Sequence, residues 1–128
     1  MKKIHGAMAV DLSDLIGVPY LLNGRDKNGM DCYGLVLEVQ RRLGKKLNDL
    51  VYDTSADVDL CSEDTLSFLG IRKTDSPQFG DVMAVKKDNE LHVAVYLNEK
   101  EMLHASPYGV KVSCIDLYGK ERDFYTWA

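Results

Sequence analysis

The residue in this sequence with most chemistry to offer is Cys32. It directly follows Asp31, a helix-capping residue type, and opens the best helical pattern in the chain. Unpaired N–H groups and the positive end of the helix dipole stabilise a thiolate at such a position, and a thiolate is the nucleophilic form of cysteine. A second reading stands beside it: cysteine is often a small buried hydrophobe, and Cys32 also lies on the helix's apolar stripe. Cys61 and Cys114 read as core residues by default, Cys114 within a strand pattern and Cys61 at a helix entrance with no base nearby.

A nucleophilic cysteine needs a base. The histidines are His5, His92 and His104. If Asn98-Glu99-Lys100 forms a three-residue loop, Leu97 pairs with Glu101 and paired residue numbers sum to 198. His104 then lies opposite Ala94, and His92 opposite Ser106. Both histidines share one sheet face as diagonal neighbours about 7–8 Å apart at the backbone, whereas a two-residue loop puts them on opposite faces. The shared face permits one imidazole to orient the other, as the third group of a triad does. A single strand histidine would more simply be structural. His5 sits near the N-terminus and is left out of the site.

The same three side chains raise the question of zinc. No ligand pair among them has the short spacing that zinc sites favour, so no metal and no cofactor is expected. The cysteines number three and include no C-x-x-C, which argues against both a disulfide framework and a structural zinc site.

The elements that must hold these residues read as two halves. Leu12, Leu15 and Ile16 have helical spacing, with Asp11 as cap and Gly17 as stop. Val18-Pro19-Tyr20 must run extended, because the residue before proline avoids the helical region, and the polar run from Asn23 to Gly29 is a loop. Cys32, Leu35, Val36, Val39 and Leu43 then form one apolar stripe of a helix, with Arg41 and Arg42 suiting its C-terminal end and Gly44 closing it. A third short helix is expected from Ser62 to Leu69, ended by Gly70. The second half reads as strands over Asp81–Lys86, Leu91–Leu97, Glu101–Ala105, Val110–Ile115 and Asp123–Trp127, joined by short breaks that fit antiparallel hairpins. Helices first and an antiparallel sheet of about five strands after them is an α+β arrangement.

Size and charge bound what this fold can be. At 128 residues and 14.4 kDa the chain is expected to form a single domain, 1–128, that folds without staples. Hydrophobic residues at 45% and charged residues at 28% are a globular composition. Sixteen Lys+Arg against twenty Asp+Glu give −4, which disfavours general nucleic-acid binding. No apolar run approaches the roughly 20 residues of a membrane span. Asp11 and Asp14 interrupt what might otherwise follow Met1-Lys2-Lys3 as a signal peptide, so synthesis and folding in the cytoplasm are expected.

Four blocks of residues resemble, in order, the NlpC family of cysteine peptidases. Ile16-Gly17-Val18-Pro19-Tyr20, Asn23-Gly24 and Asp31-Cys32-Tyr33-Gly34-Leu35-Val36 are similar to its front motif. Pro77-Gln78-Phe79-Gly80-Asp81-Val82 resembles its entry to the sheet. His92-Val93-Ala94-Val95-Tyr96-Leu97 is similar to its base-bearing strand, and Met102-Leu103-His104-Ala105-Ser106 to its third-residue strand. The resemblance spans residues 16 to 106.

It implies a papain-like core with the cysteine helix packed on an antiparallel sheet. It implies Cys32 as nucleophile, His92 as general base and acid, His104 as the residue orienting His92, and Tyr20 lining the cleft near the thiol. Asp31 and Tyr33, beside the cysteine, are taken with Tyr20 as substrate-binding. The substrates implied are peptidoglycan stem peptides, cut after a γ-linked D-glutamate and before a diamino acid. Two positions depart from the family pattern: Tyr33 stands where serine is usual, and Asn23-Gly24 where two glycines are. Asp31-Cys32-Tyr33-Gly34-Leu35 resembles the branch associated with phage and prophage tail proteins, which implies phage tail partners and a virion-associated location. Two readings follow, a thiol hydrolase of peptidoglycan peptides and a tail-assembly or tail-tip component with the same fold, and an acyltransferase of that fold is a third.

Overall fold

The computed structural model describes residues 11–45, 63–87, 90–119 and 121–127. His5, Cys61 and the expected cap Ser62 lie outside them.

The first apolar cluster makes a single 3-10 turn, Ser13–Leu15, and not a longer helix. Its N-cap is Leu12, with no side-chain cap, and not the expected Asp11, which lies one residue earlier and accepts from the Ser13 N–H through Oδ1 at 2.9 Å. The window before Gly17 is too short for a second turn. Gly17 adopts φ +92° and turns the chain out, and Pro19 forces Val18 extended. Residues 17 and 18 then run beside residue 110, with Gly17 N–H donating to Val110 O and Val110 N–H to Val18 O. A two-residue hairpin, β1 (Arg25–Asp26) with β2 (Gly29–Met30), occupies the expected polar loop.

Helix α1 (Cys32–Arg42) forms where its stripe and caps place it. Leu35, Val36 and Val39 are fully buried. Arg42 in its last turn pairs with Glu38 at 2.7 Å and with Asp14 at 2.6 Å, tying the helix end to the 3-10 turn. Helix α2 (Glu63–Leu69) matches the third expected helix.

The sheet has six strands: β3 (Ile71–Thr74), β4 (Val82–Lys87), β5 (Glu90–Tyr96), β6 (Glu101–Ser106), β7 (Gly109–Cys114) and β8 (Asp123–Trp127). All neighbours are antiparallel, in the order β3-β8-β4-β5-β6-β7. The strand missing from the expected five is β3. Arg72 and Lys73 fill its middle and are exposed, so it shows no apolar alternation. It is an edge strand, paired only to β8, and charge on an edge discourages pairing with another chain.

Alternation along the strands divides the core in two. Against α1 lie Val82, Ala84, Val93, Val95, Leu103, Val110 and Tyr125. The opposite face carries a smaller cluster, Met83, Ala94, Tyr96, Met102 and Ile115, with Tyr118 and Phe124 packed on it. Entry to β4 is held by a buried carboxylate. Asp81 Oδ2 accepts from the Gln78 N–H and Oδ1 from the Thr126 hydroxyl, both at 2.8 Å, and the buried Gln40 side chain of α1 donates to Gly80 O. The Pro77–Asp81 motif therefore fastens sheet to helix.

Candidate active site

Asp31 caps α1, its Oδ1 accepting from the Gly34 N–H at 2.8 Å. The same carboxylate accepts from Arg25 Nη1 at 2.9 Å and, through Oδ2, from the Asn23 N–H at 2.8 Å. It has no exposed surface. Expected to contact substrate, Asp31 is instead interior, because it holds the start of the cysteine helix and the 23–25 turn at once. Tyr33 is also buried, in the core beneath the Arg25 guanidinium, whose carbon lies 5.8 Å from the ring centroid. It too faces the interior and not a cleft. Tyr20 differs: it is exposed, on a segment hydrogen-bonded to Met30, two residues before Cys32.

The position of Cys32 follows from how two strands part. The β5–β6 register pairs Val95 with Leu103 and Tyr96 with Met102, each summing to the expected 198. The pairing lapses before Val93, although both strands continue. Tyr96 N–H donates to Asp81 O on the β4 side, so by alternation the N–H groups of Val95 and Val93 face β6. With β6 gone at that level, the Val93 N–H donates to the Cys32 sulfur instead. Cys32, partly buried, thus sits at the opening between the strands, adjoining the backbone that carries His92.

The helix start does not lower the thiol's pKa, as the sequence reading expects. Burial raises it above the ordinary value, the nearby Asp31 charge adds to this, and the N–H groups of Val93, Tyr33 and Cys32 offset them only in part. The resting side chain is a neutral thiol.

His92 and His104 share the face of the smaller cluster, as the 198 register requires. The expected contact between them is absent, because their strands have parted. Both His104 nitrogens are engaged elsewhere: Nε2 lies 2.7 Å from Ser113 Oγ and Nδ1 3.2 Å from the Tyr118 hydroxyl. Tyr118 also stacks on His92, with ring centroids 5.0 Å apart and planes 9° from parallel. His104 is buried, and burial, then Lys111 and His92, push its pKa down to about 4, so it is neutral at neutral pH. Burial, and then the charge of Cys32 once it is a thiolate, raise the Tyr118 hydroxyl.

Tyr118 and Ser113 are absent from the sequence reading. Ser113 could have been found, since the two-residue break Pro107-Tyr108 sets β6–β7 pairs summing to 215, which makes Ser113 a diagonal neighbour of His104. Tyr118 lies in a turn, where alternation carries no signal. Among the described residues no three His, Cys, Asp or Glu side chains cluster as a metal ion would need.

The profile of the NlpC/P60 family matches residues 17–127. No curated protein matches the sequence. The fold is similar to the crystal structure of the NlpC/p60 domain of the peptidoglycan hydrolase SagA, at TM-score 0.62 and 22% identity over 91% of this chain and 92% of that one. The Resuscitation Promoting Factor Interacting protein RipA is similar at TM-score 0.59 and 26% identity, over 90% of this chain and 57% of that one. NlpC1 from Trichomonas vaginalis is similar at TM-score 0.61 and 21% identity, over 90% of this chain and 40% of that one. With the profile covering nearly the whole described fold, the chain belongs to the NlpC/P60 family of cell-wall cysteine peptidases.

Proposed function

We propose that this chain hydrolyses a peptide bond in peptidoglycan stem peptides, after a γ-linked D-glutamate and before a diamino acid, with Cys32 as nucleophile and His92 as general base and acid. The observation that carries this reading is the Cys32 sulfur at the start of α1, at the gap between β5 and β6, accepting the N–H of the residue next to His92. Family membership supports the substrate class.

The neutral thiol shapes the mechanism. Attack and proton loss are coupled: as sulfur bonds to the carbonyl carbon, its proton passes to His92. The Cys32 backbone N–H, at the helix start, supports the oxyanion. The C–N bond then breaks, His92 returns its proton to the departing amine, and a thioester remains. His92 next takes a proton from water, whose oxygen attacks the thioester. The thiol regains the proton and the carboxylic product leaves. Tyr20 meets the peptide; its exposure beside the segment leading to Cys32 supports that role. His104 acts on His92 without touching it. The Asp31–Leu35 sequence supports a phage or prophage source, virion association and tail-protein partners.

The test is digestion of purified peptidoglycan, with mass analysis of the fragments, by the wild type and by Cys32→Ala. Fragments ending in D-glutamate from the wild type alone are expected. No release by either protein refutes the reading and favours the tail-component alternative.

A further inference from the structure

In a hydrolase triad the third group normally touches the base. Here, among the described residues, no hydrogen bond joins His104 to His92; one side chain contacts both. Tyr118 presents its face to His92, with centroids 5.0 Å apart and 9° between planes. It meets His104 edge to face at 5.8 Å and 82°, with its hydroxyl 3.2 Å from Nδ1. We propose that Tyr118 is the positioning residue through which His104 acts on His92: the hydroxyl is fixed by the buried imidazole, and the ring holds the plane of the base. The proposal rests on the assignment of His92 as base under the proposed function.

The support behind Tyr118 is built for this. His104 is buried, and its second nitrogen is taken by Ser113, so it offers the phenol one fixed partner. The turn that carries Tyr118 is closed by Leu117 N–H to Cys114 O and Gly119 N–H to Asp116 O. Arg122 braces it from outside, reaching Asp116 Oδ1 at 2.8 Å and Gly119 O at 3.1 Å. At its start Ile115 is buried in the smaller cluster, with its N–H donating to Lys100 O. A side chain on so constrained a turn loses little freedom in holding its neighbour. The ring face also has a chemical role. When His92 takes the thiol proton it becomes a cation, and an aromatic face attracts a cation by about 0.5–2 kcal/mol. That stabilisation arises only after proton transfer, so it is a transition-state effect and shows in kcat.

The hydroxyl and the ring face separate by substitution. Tyr118→Phe keeps the face and cuts the link to His104. Tyr118→Leu keeps apolar volume against the smaller cluster but removes the face. Cys32→Ala is assayed beside them on purified peptidoglycan, and thermal melting is recorded for all. Tyr118→Leu is expected to lower kcat about 3- to 30-fold with KM unchanged, and Tyr118→Phe to restore most of the loss. His104→Leu should lower kcat in the wild-type background and have little further effect in Tyr118→Phe, since both changes cut one link. A second readout needs no substrate. In the NMR spectrum of the wild type the His92 ring protons should lie upfield through the stacked ring. Tyr118→Phe should keep that shift, and Tyr118→Leu should lose it, with broadened His92 signals. An inactive wild type, or an active Cys32→Ala, refutes the peptidase reading while the His92 signals still decide the role of Tyr118. Unchanged kcat and unchanged His92 signals in Tyr118→Leu, or a loss confined to KM, would overturn the proposal.

Discussion

His104 makes acid stability a direct test of the site's electrostatics. Its side chain is 2% exposed and its pKa is pushed down to about 4, from an ordinary 6.5, by burial first and by the charges of Lys111 and His92 after it. Lys111 is its cross-strand partner on β7. Unfolding releases His104 from all three, so between pH 6.5 and 4 the unfolded chain binds the extra proton. Stability therefore rises with pH through this window; it is complete above it, declines as the pH falls, and levels off below about pH 4. Each pH unit of separation corresponds to about 1.4 kcal/mol, so the whole effect is about 3 kcal/mol, with about 2 kcal/mol of it gone by pH 5. Against the roughly 5–15 kcal/mol of an ordinary domain this is easily measured.

The perturbation is His104→Gln, which keeps a donor and an acceptor near Ser113 and Tyr118 but does not titrate. Urea unfolding of both proteins at pH 7.5 and pH 5.0 gives the four stabilities needed. Comparing the two proteins removes the pH dependence that they share. The wild type should lose about 2 kcal/mol more than the variant on acidification. Equal losses would mean that His104 carries no buried neutral imidazole in the native state, and the account of the site's charge would fail with it.

Cys32 should label with iodoacetamide at a rate that keeps rising above pH 9, because burial raises its thiol; peptide mapping by mass spectrometry follows it, and a plateau below pH 8 would contradict the neutral resting thiol. Asp31→Asn should destabilise the fold by about 1–3 kcal/mol, since the carboxylate serves the Gly34 and Asn23 N–H groups and Arg25 together; an unchanged melting temperature counts against that role. Gly34→Ala should lower the melting temperature even though alanine is the better helix former, because the added methyl would run into the Gly24 carbonyl oxygen; a raised melting temperature would show that the 24–34 contact yields freely.

What the sequence made legible were features written in short-range chemistry. α1 was readable because a capping carboxylate, an apolar stripe and two terminal arginines agree on one helix. The β5–β6 register was readable because the loop is self-contained: Asn98 Oδ1 accepts from the N–H groups of Lys100 and Glu101 at 2.8 and 3.0 Å, which closes three residues and sets the sum of 198. β3 escaped because half its residues are charges that an edge strand can expose. Adjacency to Cys32 makes Asp31 and Tyr33 look like substrate contacts, but adjacency says nothing of direction. The helix turns both inward, where one holds backbone and the other fills core.

The parting of β5 and β6 was illegible for a deeper reason, and it is the step on which the site turns. Alternation along two strands fixes which side chains share a face. It does not say where pairing stops. Had the ladder run on at its register, Val93 would have met Ala105, the Val93 N–H would have been spent on the sheet, and His92 and His104 would have met as diagonal neighbours. Once the strands diverge, a ladder donor is left pointing into the gap, and the Cys32 sulfur takes it. The same divergence parts the two imidazoles, and Tyr118 meets both from a turn beyond the ladder. One local failure of pairing thus brings the thiol to the backbone beside His92 and calls for a third side chain between the histidines. Neither consequence can be read from periodicity, because both depend on a hydrogen bond that is not made.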